Sequence, residues 1–164
     1  MGIPDFVVEL RRHVGTAPLP LVGATAVVLT GEGDAQRVLL GWRTDNGALA
    51  PISGVVEPGE EPATTLVREA LEEAGVHIRV TRLAWVHRLP RLTYANGDQV
   101  DYLDLTFRCD WLSGEPTPVD GEFSEVGWFP TDDLSALRPD HRRRVEHALP
   151  PHGETVFEPG GSPV

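Results

Sequence analysis

The chain has 164 residues, 40% of them hydrophobic and 24% charged, and a formal net charge of −11. That length suits one domain with a real core, and the composition is that of an ordinary globular protein. The acidity speaks against a binder of nucleic-acid duplexes or membrane surfaces, because phosphate contacts need a basic footprint. Small anionic substrates stay open, since a bound metal reverses the local charge.

The single cysteine, Cys109, excludes an intrachain disulfide and fits a reducing compartment. Residues 1–12 lack the charged-then-apolar character of a leader, and no apolar run approaches membrane-spanning length. A soluble, cytoplasmic protein is therefore expected.

Residues 4–14 read as a helix. Phe6, Leu10 and Val14 repeat every fourth position, Asp5 lies in the first turn, and Arg11, Arg12 and His13 lie in the last. Both charge placements suit the helix dipole, and Gly15 closes the element. It packs over the core or over a partner chain. After a short linker at 16–20, residues 21–30 form an apolar run rich in Val and Thr, a buried strand. A turn at 31–34 and a second strand at 38–43 complete an expected hairpin. Arg43 ends it, either as a phosphate or substrate contact or as a plain strand-end charge. A turn at 45–47 and an extended stretch at 49–52 follow.

Residues 54–76 combine a turn-rich loop with a helix. Pro62 suits a first helical position, where its missing N–H is harmless. Apolar residues at 63, 66, 67, 70, 71 and 74 repeat with the helical period, and Gly75 stops the helix. Glu69, Glu72 and Glu73 are spaced i, i+3, i+4 on the far side from that stripe. They form either a wet acidic face or a cation site. The glycine-rich loop that feeds the helix, the acids flanking Arg68, and Glu60 placed to pair with Arg68 favour the second. Clustered oxygens around a rigid turn are what hard divalent cations take.

Residues 76–89 are extended, with bulk from Ile78, Val80, Leu83, Trp85 and Val86. Ala95-Asn96-Gly97-Asp98 is a strong hairpin signal. Next, Leu103, Leu105, Phe107, Cys109 and Trp111 alternate with Asp104, Thr106, Arg108 and Asp110, the pattern of a half-buried strand. Cys109 belongs to the apolar set and is a packing residue. A polar loop at 113–121 and a short strand at 126–129 come next. Thr131-Asp132-Asp133 is expected to open a short helix. A last helix spans 140–149, its His141-Arg142-Arg143-Arg144 run read as a solvated face. Residues 1–149 thus make one domain, and 150–164 a flexible tail.

The stretch at 54–76 resembles the Nudix box. Gly54, Glu60, Arg68, Glu69, Ala70, Glu72, Glu73, Gly75 and Val76 fill its fixed positions. Two departures stand out: Ile52-Ser53-Gly54 replaces the Pro-Gly-Gly of many relatives, and Leu49 stands where a tryptophan is common. The element order suits an α/β/α sandwich with a mixed sheet, and the resemblance, which spans about residues 21–137, implies the same fold. It further implies that Glu69, Glu72 and Glu73, with the Gly54 carbonyl, hold magnesium or manganese. Glu60 and Arg68 would lock the loop on the helix.

Glu72 is the first choice for the general base, with Glu73 also needed for turnover. In this family the base can instead come from a later loop, where Glu122 and Glu125 are candidates for an extra ligand or the base, or else are surface acids. Arg43, Arg88 and Tyr94, with Trp42, Trp85, His87 and Arg91, are candidate substrate contacts, although aromatics at strand spacing usually belong to a core. Pro90 lies 15 residues after Gly75, near where ADP-ribose-hydrolysing members carry a proline. Two functions follow. One is a metal-dependent pyrophosphohydrolase acting on a nucleoside diphosphate joined to another group, or on a nucleoside triphosphate. The other is a silent nucleotide-binding module; silent relatives typically lose box glutamates, and this chain keeps them all. Dimers are common among such proteins.

Overall fold

A computed structural model describes residues 3–158. Helix α1 (Asp5–Val14) lies on the chain's own sheet, with Val7 buried against Leu19, Leu21 and Val100. Its end is tied down by Arg11, which donates from Nη1 to the carbonyls of Gly15 and Ala17 (3.0 and 2.6 Å) and from Nη2 to that of Gln99 (2.7 Å). Lysine could not make this planar, forked contact.

The strands are β1 (Leu19–Thr30), β2 (Arg37–Arg43), β3 (Leu49–Ala50), β4 (Ile52–Val55), β5 (His77–Arg88), β6 (Leu92–Thr93), β7 (Gln99–Ser113), β8 (Phe123–Pro130) and β9 (Val156–Phe157). Among the described residues they form one mixed sheet whose backbone order is β3-β2-β1-β7-β5-β9, with β4 on β1, β6 on β7 and β8 on β2. Strand β1 runs parallel to β7 from Leu19↔Val100 to Leu29↔Asp110. Its other edge is shared. Strand β4 takes residues 23–26, so the expected β1–β2 hairpin is confined to Leu29↔Val38 and Thr30↔Arg37. Strand β2 finds its main partner in β8 instead, from Arg37↔Pro130 to Arg43↔Phe123. The hairpin at 94–98 forms as expected, with Tyr94 N donating to Asp98 O and Gly97 at φ +88.

Alternation along β1 assigns the layers. Ala24, Ala26 and Val28 pack with Leu66, Ala70 and Ala74 of α2 (Pro62–Ala74), while Val27 and Leu29 pack with Val145 and Ala148 of α3 (Pro139–Ala148). The expected α/β/α sandwich is what forms. Phe107, Cys109 and Trp111 of β7 join the α2-side core. Cys109 is fully buried, and burial pushes its thiol well above the ordinary range. The opposite face of β7 was expected to be wet, yet Asp104 and Thr106 are buried there beneath α3.

Three expectations change. Residues 131–133 form no helix; Asp133 Oδ1 accepts from the backbone N and the hydroxyl of Ser135 (3.1 and 2.6 Å), a local turn that competes with helix. The arginine run of α3 is not a solvated face. Arg144 is buried against Asp104, Arg143 lies over the Trp85 ring at 4.8 Å, and Arg142 donates to the Leu134 carbonyl. Part of the expected flexible tail is docked: Val156 and Phe157 pair in parallel with Trp85 and Val86, and Thr155 donates to Leu83 O. Residues 159–164 of that tail lie outside the described residues. No helix among the described residues is long and apolar enough to cross a membrane.

Candidate active site

The loop between β4 and α2 is bound to the helix it feeds. Glu60 accepts Nε and Nη2 of Arg68 (3.1 Å each) and the Thr65 hydroxyl (2.7 Å), and Arg68 holds its carboxyl below the ordinary range. The helix begins at Pro62 and stops at Gly75, which adopts φ +66. Glu60 and Arg68 therefore pair as expected.

The helix does not turn the face that its apolar stripe suggested. Leu66, Ala70 and Ala74 are buried, but Val67 and Leu71 are exposed, while Thr65, Glu69 and Glu73 are buried with the core. Glu69 and Glu73 thus lie on the inner face rather than the far side, both at 0% exposure. Only Glu72 of the three is open to solvent. Gly54 explains how Glu69 fits: a Cβ at position 54 would overlap the Glu69 carboxylate, so only glycine allows this approach of β4 to α2.

Electrostatics here are unbalanced. Arg68 Nη1 donates to Glu69 Oε1 (2.8 Å) and Glu72 Oε2 (3.1 Å). Glu69 Oε2 and both carboxylate oxygens of Glu73 are buried without a hydrogen-bond partner. Burial pushes the Glu69 carboxyl up to about 7, against the pull of Arg68. Burial, then the negative charges of Glu69 and Asp120, push Glu73 up to about 8. Buried, unpartnered oxygens of this kind are rare and need a reason. A hard divalent cation supplies one, because it takes oxygen ligands and favours the ionised carboxylates. As they stand, no three acidic, histidine or cysteine side chains among the described residues are gathered around one point, and Arg68 keeps Glu72 drawn along the helix.

The later loop comes to the same place. Thr117 N donates to Ala74 O and Val119 N to Glu73 O, so the segment after β7 folds over the end of α2. That brings in Asp120, whose charge acts on Glu73 and which the sequence did not single out. No local pattern marks it; only the fold-back of the loop does. Glu122 pairs with Arg43 Nη1 at 3.4 Å. Arg43 also makes a forked contact with Asp45 (3.0 and 3.1 Å), the main reason its pKa is raised, and it lies in the field of Glu73 and Tyr94. Arg43 thus links the strand end to the later loop and stands in the electrostatic reach of the box helix.

Other candidates sit further out. Tyr94 is exposed on its hairpin, close enough to Tyr102 that it helps burial to hold that phenol above the ordinary range. Arg88 is exposed at the end of β5, in the field of Asp101, and bonds to no box residue among the described residues. Glu125 is exposed on β8, opposite Trp42, and likewise touches no box carboxylate among the described residues. Trp85 and His87 stack on each other under α3 (centroids 3.4 Å apart, planes 3° apart).

Comparison with known proteins agrees with this geometry. The model of the NUDIX domain matches residues 20–149. The chain is 28% identical over 135 residues to the NAD-capped RNA hydrolase NudC of Pseudomonas aeruginosa, covering 82% of this chain and 45% of that protein. It is 33% identical over 124 residues to a MutT-like protein of Streptomyces ambofaciens, covering 76% and 73%. Among solved structures, a MutT NUDIX hydrolase from Burkholderia pseudomallei superposes with a TM-score of 0.62 at 27% identity, covering 80% of this chain and 99% of that one. The chain spans about half the length of the NudC proteins it matches.

Proposed function

The chain belongs to the Nudix family, and on that premise we propose that it is a divalent-metal-dependent pyrophosphohydrolase. Its substrate class is a nucleoside diphosphate joined to a second group, such as ADP-ribose, or a nucleoside triphosphate. The observation that carries the reading is the pair of wholly buried carboxylates, Glu69 and Glu73, with three oxygens unpartnered and Glu69 lying against Gly54. Buried without partners these carboxyls favour their neutral forms, and a counter-charge is what would let both ionise.

Glu69, Glu73 and the Gly54 carbonyl would hold magnesium or manganese, with Glu72 joining from the open side of the helix. When bound, the metal offsets the negative charge of the diphosphate and lowers the pKa of a water. The remaining work belongs to the chain. Glu60 fixes Arg68, and Arg68 fixes the orientation of Glu69. Glu72, half exposed, can reach solvent and is the base of choice; Glu122 on the later loop and Glu125 on β8 are the alternatives. Arg43 is set to receive a phosphate oxygen in exchange for one of its present carboxylates, Asp45 or Glu122. Tyr94 and Arg88 would contact the nucleoside side of such a substrate. The relative named NAD-capped RNA hydrolase supports a diphosphate joining two groups as the bond to be cut.

The test is a panel of nucleoside diphosphate conjugates and nucleoside triphosphates, assayed with magnesium and a coupled phosphatase. Release of monophosphate or diphosphate products that vanishes on chelation is expected. Binding of nucleotides with no turnover of any of them would overturn the reading in favour of a silent module.

A further inference from the structure

A second buried carboxylate lies on the other face of the sheet. Asp104 is 4% exposed; its Oδ1 accepts the Thr25 hydroxyl (2.9 Å), and its Oδ2 accepts the Thr106 hydroxyl (2.9 Å) and Arg144 Nε (3.3 Å). Thr25 and Thr106 are matched in almost every respect. Both are buried, both donate at the same distance to the same carboxylate, and they are register partners on β1 and β7. They differ in what lies beyond them. Thr25 is paired with Ser53 across β1 and β4, and its neighbour Ala24 with Gly54. Thr106 is flanked by Thr25 and by Trp85 of β5, and its own strand β7 is separated from β4 by β1.

Strand β4 is short and is held to β1 by the pairs at residues 52–55. Its Gly54 stands so close to the Glu69 carboxylate that there is no room for a methyl group, so small shifts of β4 change the site directly. Side chains alternate between faces, so Thr25 faces Asp104 below the sheet while Gly54 faces Glu69 above it.

We propose that Asp104 and Thr25 are positioning residues for the box: clamped by Arg144 of α3, Asp104 fixes Thr25, and β1 thereby holds β4 and Gly54 at the correct height under Glu69. The Thr106 hydroxyl, bound to the same carboxylate, contributes to stability alone. The effect on turnover rests on the hydrolase reading; the effect on β4 does not.

Thr25→Val and Thr106→Val in the full chain each remove one hydroxyl and keep the shape. Amide hydrogen exchange at residues 53–55, melting temperature, and kcat and KM with magnesium are then compared. The expected result is a similar fall in melting temperature for both. Only Thr25→Val speeds exchange at 53–55, by about tenfold, and lowers kcat by about tenfold with KM unchanged; Thr25→Ser restores both. Equal changes in the two valine variants, or none in Thr25→Val, would overturn the proposal. If the wild-type protein cleaves no diphosphate, the hydrolase reading fails by itself, and the exchange comparison alone decides the positioning role.

Discussion

Two sets of ionisable groups are buried in this protein, one on each face of the same sheet, and they are kept there in opposite ways. Under α3, the Asp104 carboxylate has both oxygens engaged, by two threonine hydroxyls and an arginine. Under the box helix, Glu69 has one arginine contact, Glu73 has no hydrogen bond at either oxygen, and three oxygens are left bare. Charge burial is therefore no mark of function by itself. What separates the two sets of carboxylates is whether the protein has finished their hydrogen bonding, and of the two only the box carboxylates have been left for something else to complete.

The largest expected effect breaks the contrast at the box. Glu73→Gln should lower kcat by roughly 10²–10³-fold, with a metal-free melting temperature no lower than wild type, since it removes a buried charge that nothing pairs. Steady-state kinetics and calorimetry check both halves. Next, Asp104→Ala should reduce stability by about 3–5 kcal/mol, because it takes from the buried Arg144 its buried counter-charge and leaves it only the half-exposed Asp140; urea unfolding measures it. The two substitutions thus have inverted profiles. A smaller effect sharpens the comparison: magnesium at about 100 times its dissociation constant should stabilise the wild type by about 2.7 kcal/mol. Glu73→Gln should show much less of that gain, and chelation should abolish it.

The smallest concerns His87, 3.7 Å from Asp104 with both ring nitrogens buried and unbonded. Burial lowers its pKa to about 4, with Asp104 pulling the other way and Arg144 reinforcing the fall. The unfolded imidazole takes a proton near 6.5, so between these values the unfolded chain binds more protons than the folded one. Stability from this site is whole above about 6.5 and drains away as pH falls toward 4. His87→Phe, which keeps a ring on Trp85, should flatten that decline in urea midpoints measured from pH 7 to 4.5.

The sequence was a good guide where the signals are local. The helix at 62–74, begun by a proline and stopped by a glycine, the extended character of β7 and the box spacing all depend on neighbours within a few residues, and all are present in the fold. It misled where a partner lies far along the chain. Arg144 looked like surface because its acid, Asp104, is forty positions away. Asp120 gave no signal, since only the loop that folds over α2 brings it to Glu73. The face of α2 was misjudged for another reason. Burial follows hydrophobicity when folding alone decides, but here Val67 and Leu71 are outside and two glutamates inside. That inversion is itself a trace of the site, because the helix is oriented by what it must present rather than by transfer energies.

Cys109 gives experimenters a handle that needs no engineering. A lone thiol in the middle of the longest strand, sealed on all sides and reluctant to ionise, is out of reach of a maleimide dye until the central sheet parts. The rate at which a dye attaches then becomes a clock for that opening, readable in a crude mixture.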